Sequence, residues 1–440
     1  MLPKRLSLSK AARHGETVLY RVAGLPVALA ALFRPEGGDA LSAMRAAYAR
    51  QYWAPENWGE IADIAAALAL SPVVFALSAL WFTARNGRRI ARRCGRPIWR
   101  QLGDQLTCYA SAGILPPWYY IFSLHDVDAA AQAGTFLNRY ETKRGLYRLL
   151  TANRPSLSPL ADKAAFARWC ADRALPTAAT IGTARNGRYD GARLPPADLF
   201  VKPIVGRGGR GAERWDYIGN RRYKHERHGV LSEAQLRDRL AVRSIATPRL
   251  VQLRLVNHPA LQRFSNGALA TVRVLTCLDE RGEPEIAAAV FRMAVGNNRT
   301  VDNIHAGGIA TGIDLASGRL GQASDIGMAA SGWLDRHPDT GAAIAGTILP
   351  GWRAVRDLAL RAHAAFADRV CIGWDIALTD AGPCLIEGNG APDVDLMQRP
   401  MRRGLATERF GILLAHHVRA AERGRRAAPL PHRRSRRATT

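Results

Sequence analysis

Two apolar runs near the C-terminal end, Cys371–Leu378 (CIGWDIAL) and Pro383–Asn389 (PCLIEGN), are separated only by Thr379-Asp-Ala-Gly382. That spacing, with a glycine in the connection, predicts an antiparallel hairpin. Each run carries one acid among apolar neighbours: Asp375 near Ile372 and Trp374, Glu387 next to Leu385 and Ile386. A partly buried acid demands a cation, so the hairpin constrains everything folded around it. A three-residue loop Asp380-Ala381-Gly382, with Gly382 left-handed and bulged, pairs Thr379 with Pro383 and sets Asp375 opposite Glu387. Opposed residues share a face, and Asn389 follows two along. Three oxygen-bearing side chains then converge, the set that Mg²⁺ takes when ATP phosphates supply the remaining ligands. The alternative is a solvated acidic face.

A second feature is Lys202–Trp215 (KPIVGRGGRGAERW), with a formal G-x-G-x-x-G at Gly206, Gly208 and Gly211. A dinucleotide fingerprint needs a capped helix after the glycines. Here an alternating Ala-Glu-Arg-Trp-Asp-Tyr-Ile follows, which predicts a second strand and a glycine-tipped hairpin. Its backbone N–H groups can lie over phosphates; a plain flexible turn explains the residues equally. Arg273 and Arg292 stand in apolar runs, Thr271–Val274 and Ala287–Met293, separated by a turn at Glu280–Glu283. Arginines in apolar strands are costly unless they meet an anion. Phosphate is one answer and a structural ion pair is the other.

About half of the 440 residues are apolar, enough for real cores. The net charge of +25, from 62 Lys+Arg against 37 Asp+Glu, favours anionic partners. No nucleic-acid module signature is present, so no specific nucleic acid is expected. Six cysteines without C-x-x-C spacing predict reduced thiols and a cytoplasmic setting. Ile64–Thr83 carries no charge for 20 residues, and seven Arg without an acid follow between Ala84 and Arg100. The segment reads as a membrane span with its basic flank inside, an interfacial helix, or a buried helical hairpin broken at Ser71-Pro72. A membrane surface is thus an expected partner through residues 61–100. Strand pairs with interspersed helices make the class α+β.

In order, ADKAAFARWC, FVKPIVGRGGRG, LVQLRLVNHPAL, ATVRVLT, VFRMAVGNNRTVDNIHAGGIA and GWDIALTDAGPCLIEGN resemble the ATP-grasp superfamily. More narrowly, they resemble its sugar-transfer-associated family, related to α-L-glutamate-ligase-like proteins. The resemblance implies a two-lobed ATP-grasp fold preceded by a helical N-terminal region. Its expected parts are a basic N-terminal segment (1–60), an apolar helix (61–83) and a helical region (84–150). A first lobe with the glycine hairpin (151–248), a second lobe with the Mg-ATP site (249–415) and a basic disordered tail (416–440) follow. It implies ATP with Mg²⁺ or Mn²⁺ as cofactors. Lys163 and Lys202 would contact phosphates or adenine, and Gly206, Gly208, Gly209 and Gly211 would lie over the β- and γ-phosphates. Gln252, Leu255 and Val256 would belong to a hinge whose backbone reads adenine. Arg273 and Arg292 would steady the transferring phosphoryl group. Asn303, His305 and Gly307 would line the acceptor side, with His305 a base for the amine or a structural histidine. Asp375, Glu387 and Asn389 would hold the metal. The implied activity is carboxylate–amine ligation through an acyl phosphate, in surface polysaccharide or glycan synthesis, on small-molecule or glycan-linked substrates. A phosphotransferase and a non-enzymatic basic binding protein are the competing readings.

Overall fold

The structure is a computed structural model that describes residues 3–32, 37–151, 156–206, 209–296, 307–327 and 332–427. Two antiparallel sheets carry the α+β part. The first has β1 (Thr180–Arg185), β2 (Arg188–Gly191), β3 (Leu199–Pro203), β4 (Glu213–Tyr217), β5 (Arg222–His225), β6 (Gly229–Ser232) and β7 (Arg249–Leu253), in the order β2-β1-β7-β3-β4-β5-β6. The second has β8 (Thr271–Leu278), β9 (Pro284–Met293), β10 (Ile309–Ile313), β11 (Leu320–Ser324), β12 (Cys371–Thr379) and β13 (Gly382–Asn389), in the order β11-β10-β9-β8-β12-β13.

Local chemistry explains the helices that cover the sheets. Helix Glu233–Ser244 starts at a capping box, Ser232 with Gln235, and buries Leu236 and Leu240 against the first sheet. Helix Lys163–Ala171 is capped by Asp162, whose carboxylate accepts from the Ala164 and Ala165 amides. Helix Trp352–Ala365 packs Trp352, Val355, Leu358, Ala359 and Ala362 on one face of the second sheet. The other face meets the N-terminal helices and helix Arg409–Ala427, through Leu275, Cys277, Ala288 and Val290. A sheet covered on both faces explains why β12 is buried along nearly its whole length despite being antiparallel.

The structure changes four expectations. Strand β7 sits between β1 and β3, so the lobe boundary falls beyond Leu253 rather than at residue 249. Residues 416–427 are not tail: helix Arg409–Ala427 runs through them and buries Leu413, Leu414 and Val418. The apolar segment is no broken hairpin, because helix Trp58–Cys94 continues for 37 residues through Pro72. The connection in the C-terminal hairpin is two residues, not three, since Thr379 pairs with Gly382 and Leu378 with Pro383. All six cysteines are free, and only Cys94 is exposed.

Candidate functional site

Strand alternation decides which side chains can meet. In the second sheet Val272, Val274, Phe291, Ile372, Trp374 and Ile376 face helix Trp352–Ala365. Arg273, Arg292 and Asp375 therefore share the opposite face, toward the N-terminal helices. Register then pairs them: Asp375 lies directly across from Arg273, and Arg292 across from Thr271. The two-residue turn alone would set Asp375 against Ile386 and send Glu387 to the wrong face. A bulge in β13 corrects this, restoring Asp375 opposite Glu387 and Gly373 opposite Asn389. Sequence reasoning reached the right pairing with the extra residue in the wrong place.

Asp375 is only 4% exposed. Arg273 Nε donates to its Oδ1, Arg273 Nη2 to its Oδ2 at 2.9 Å, and Arg292 Nη2 stands 3.3 Å from that second oxygen. Arg292 also donates to Thr271 Oγ1, at 3.1 Å from Nε. Burial would raise the Asp375 carboxyl, but Arg273 and then Arg292 outweigh it and hold it down to about 2. The two arginines thus form the structural ion pair, not an open anion clamp. Their acid was invisible locally because it comes from a strand 102 residues onward.

The first lobe brings two lysines. Alternation in β3 buries Leu199 and Val201 in its own core and turns Lys202 to the other side, toward Glu387 and Lys163. Burial lowers the Lys202 ammonium from 10.5 to about 8, against the pull of Glu387 and with Lys163 adding to the lowering. Lys163 Nζ donates to the Gly206 carbonyl at 2.8 Å and stands 3.8 Å from Glu387 Oε2. It therefore ties the glycine hairpin to the acidic one. The hairpin is as expected: β3 and β4 pair antiparallel, without a helix after the glycines. Gly209 and Gly211 have φ of +70° and +74°, a left-handed backbone that glycine adopts without strain. Arg249 NH1 donates to the Gly211 carbonyl at 2.7 Å and pins the return strand.

Other expected positions divide. Gln252 is 4% exposed, is paired on both sides within the sheet, and donates its amide to the Ala178 carbonyl at 3.0 Å. Its backbone is consumed by the sheet, so of the expected hinge only Leu255, half-buried, and Val256, exposed, stand clear of it. Gly307 is exposed with φ of +93°. Gly208, Asn303 and His305 lie outside the described residues. Asn389 donates its amide to the Gly373 carbonyl at 3.3 Å, leaving its amide oxygen as the group for a cation. Asp375, Glu387 and Asn389 offer only oxygen donors, which suits Mg²⁺ or Mn²⁺. The fit has one condition: Asp375 must share its oxygens with Arg273 and Arg292.

Sequence reading missed a neighbouring cluster. Asp393 Oδ2 accepts from Lys143 Nζ at 2.7 Å, with Arg139 at 3.7 Å, and Asp395 Oδ2 accepts from Trp118 Nε1 at 3.1 Å. Burial and then Asp393 keep the Asp395 carboxyl well above its usual range, so it retains a proton beside ionised Asp393. The D-x-D spacing four residues after Asn389 was the available signal. Glu213, His225 and His228 also bring ligand atoms within 4.8 Å of one another. Arg239, Arg243 and Arg249 lie within 4.0 Å of Glu213 and already meet its charge, which disfavours a cation there.

Around the hairpin, then, four cations (Lys163, Lys202, Arg273, Arg292) face two carboxylates (Asp375, Glu387), leaving two positive charges. Such a surplus takes a polyphosphate. A proton test follows. Phosphate favours charged Lys202, so nucleotide binding at pH 8.5 should draw a proton onto it, and affinity should fall as pH rises through 8. Calorimetry in two buffers of different ionisation enthalpy measures the uptake. Zero uptake, or equal uptake in Lys202→Met, would remove this lysine from the phosphate site.

Among solved structures the chain is similar to D-alanyl-alanine synthetase A from Vibrio cholerae O1 biovar eltor. Identity is 13%, the match covers 60% of this chain and 65% of that one, and the TM-score is 0.36. It is also similar to D-alanine–D-alanine ligase from Bacillus anthracis complexed with ATP (11% identity, 62% and 68% covered, TM-score 0.34). An L-amino acid ligase from Bacillus licheniformis is a third (11%, 59% and 48%, 0.34). The chain thus spans less than two thirds of the first of these. No curated protein sequence matches it. The description "Sugar-transfer associated ATP-grasp" matches residues 144–411, from the helices beside the Asp393 cluster to the start of the C-terminal helix. That is well over half of the chain, which accordingly belongs to the sugar-transfer-associated ATP-grasp family.

Proposed function

We propose that the chain is an ATP- and Mg²⁺-dependent ligase that joins a carboxylate to an amine through an acyl phosphate, with Mn²⁺ as a substitute ion. We place it in cell-surface polysaccharide or glycan synthesis, on small-molecule or glycan-linked acids and amines, at the cytoplasmic face of the membrane. The observation that carries the chemistry is the four-cation, two-carboxylate cluster, joined through Lys163 to the glycine hairpin.

In this reading the acid's carboxylate oxygen attacks the γ-phosphorus, the bond to the β–γ bridging oxygen breaks, and ADP leaves. The amine then attacks the acyl carbon, phosphate departs and the amine gives up a proton. Lys202 and Lys163 hold phosphate charge from the first lobe. Arg273 and Arg292, already aligned by Asp375, hold the transferring group and the acyl phosphate. The glycine hairpin covers the intermediate from water. Asp375, Glu387 and Asn389 would hold the metal ion, which when bound offsets the charge on the phosphates. The family description supports the glycan setting; the apolar, arginine-bordered helix supports the membrane setting.

The test is an ADP-release screen of the full chain with paired acids and amines, followed by mass spectrometry. An amide product is expected. A phosphate ester on a hydroxyl would replace ligation by phosphotransfer. No ADP from any pair, with function lost on deletion of residues 428–440, would leave a basic binding protein.

A further inference from the structure

Helix Trp58–Cys94 is built inside out. The side facing the protein recurs about every four residues and is mostly small or polar: Asp63, Ala67, Ser71, Ala79, Thr83, Asn86 and Gly87 are buried, with Ile90 at its end and Phe75 packed on Tyr109. Hydrogen bonds fasten it. Ser71 Oγ lies 2.6 Å from the Tyr109 hydroxyl, Gln105 Nε2 donates to Thr83 Oγ1 at 2.9 Å, and Gln101 Nε2 donates to the Gly87 carbonyl at 3.0 Å. Large apolar side chains point outward on the other side: Val73, Leu77, Leu80 and Trp81 are 55–64% exposed. A helix on a water-soluble surface shows the reverse pattern, and a contiguous outward apolar face marks an interaction site. Counting four, seven, eleven and fifteen residues on from Leu77 keeps to one side of a helix. That side therefore runs from Leu77 and Trp81 through Ala84 to exposed Arg88 and Arg92. Arg85 lies over Trp81 and Arg100 over exposed Trp99, at 5.6 and 5.1 Å.

We propose that this face docks on a bilayer rich in anionic phospholipid, with the helix lying in the membrane plane. The inference rests on the membrane setting proposed above and adds how the chain is held there. Charge chooses the occupant. A second copy, antiparallel to the first, would cover the leucines but leave Arg88 and Arg92 facing water. An anionic bilayer meets both, with tryptophan at the headgroup level between them. The fastened stripe excludes spanning. Helix Ile98–Ala112, which holds it, has 15 residues, or about 22 Å, short of a hydrocarbon core of about 30 Å. Carrying Ile64–Thr83 across would take Gln101, Asp104 and Gln105 to the depth of the hydrocarbon. The buried side of the helix is also tied toward the Asp393–Asp395 cluster. Tyr120 donates to Thr83 at 3.1 Å, while the Tyr120 and Ile121 carbonyls accept from Arg399, four residues after Asp395.

The test floats full-length protein with vesicles of phosphatidylcholine alone, or of equal parts phosphatidylcholine and phosphatidylglycerol. About tenfold or greater enrichment on the anionic vesicles is expected. Leu77→Glu with Trp81→Glu should abolish it at an unchanged melting temperature, because those side chains already face outward. Arg88→Glu with Arg92→Glu should erase the preference for anionic lipid. Nitroxides at Leu70→Cys, Leu77→Cys and Ala84→Cys, in a Cys94→Ser background, should report equal shallow depths. A depth maximum at 77, with resistance to alkaline extraction, would overturn the in-plane arrangement while keeping the membrane setting. No vesicle binding, or self-association broken by Leu77→Glu, would overturn both.

Discussion

Asp375→Asn is expected to lower ADP release by about 10²-fold or more and to destabilise the chain in the same stroke. The activity loss follows, on the proposed reading, from removing a carboxylate that would hold the metal and that aligns both arginines. The stability loss has a separate cause. Arg273, held above its usual range by Asp375, would remain buried and charged without its counter-ion. Removing one partner of a buried pair costs about 3–5 kcal/mol; asparagine keeps a hydrogen-bond acceptor, so about 2–3 kcal/mol is expected, or a melting temperature roughly 5–10 °C lower. The pH dependence has a definite sign. The folded carboxyl titrates near 2, below its ordinary 3.8. Its contribution is therefore complete above 3.8 and disappears as pH falls from there through 2. The melting gap between wild type and Asp375→Asn should be full at pH 7 and close in acid. A variant that melts like wild type at pH 7 would show that the ion pair is not formed in solution.

Lys202→Met should behave oppositely in stability while also losing nucleotide. Binding of ATP, measured by calorimetry, should weaken by about 10²-fold, the scale of one lost charge-assisted phosphate contact. Yet the ligand-free chain should melt higher. Burial holds the lysine at about 8 instead of 10.5, so keeping it charged at neutral pH costs about 3 kcal/mol. A group whose folded value is lowered in this way penalises the fold below 8, and the penalty fades between 8 and 10.5. Methionine, of similar length and uncharged, removes it. The gain should therefore be largest at pH 7 and vanish near pH 10.5. Together the variants separate two kinds of functional residue: Asp375 serves both fold and site, whereas Lys202 serves the site against the fold. Equal destabilisation by both would mean that Lys202 is a structural partner of Glu387.

Much of the fold was legible because it is written in neighbours. The strands either side of the glycines and the hairpin of β8 and β9 each depend on a few consecutive residues. The acid for Arg273 and Arg292 was not legible, since register between β8 and β12 joins residues 102 positions apart. Nor was the consumption of Gln252, which depends on β7 being flanked by both β1 and β3. The Asp393–Asp395 pair was overlooked because its meaning comes from Lys143, Arg139 and Trp118, more than two hundred residues earlier.

The amino-acid order by itself determined that two apolar strands with an acid in each would close near residue 380, and that a glycine-tipped hairpin would follow Lys202. Only the tertiary structure decided which faces they present. The bulge in β13 turns Glu387 and Asn389 to the side of Asp375, and packing of helix Trp58–Cys94 turns its leucines away from the protein. A strand's side-chain period is two, so one inserted residue reverses a face. A helix shows composition in its sequence but takes its direction only from the groups that pack against it.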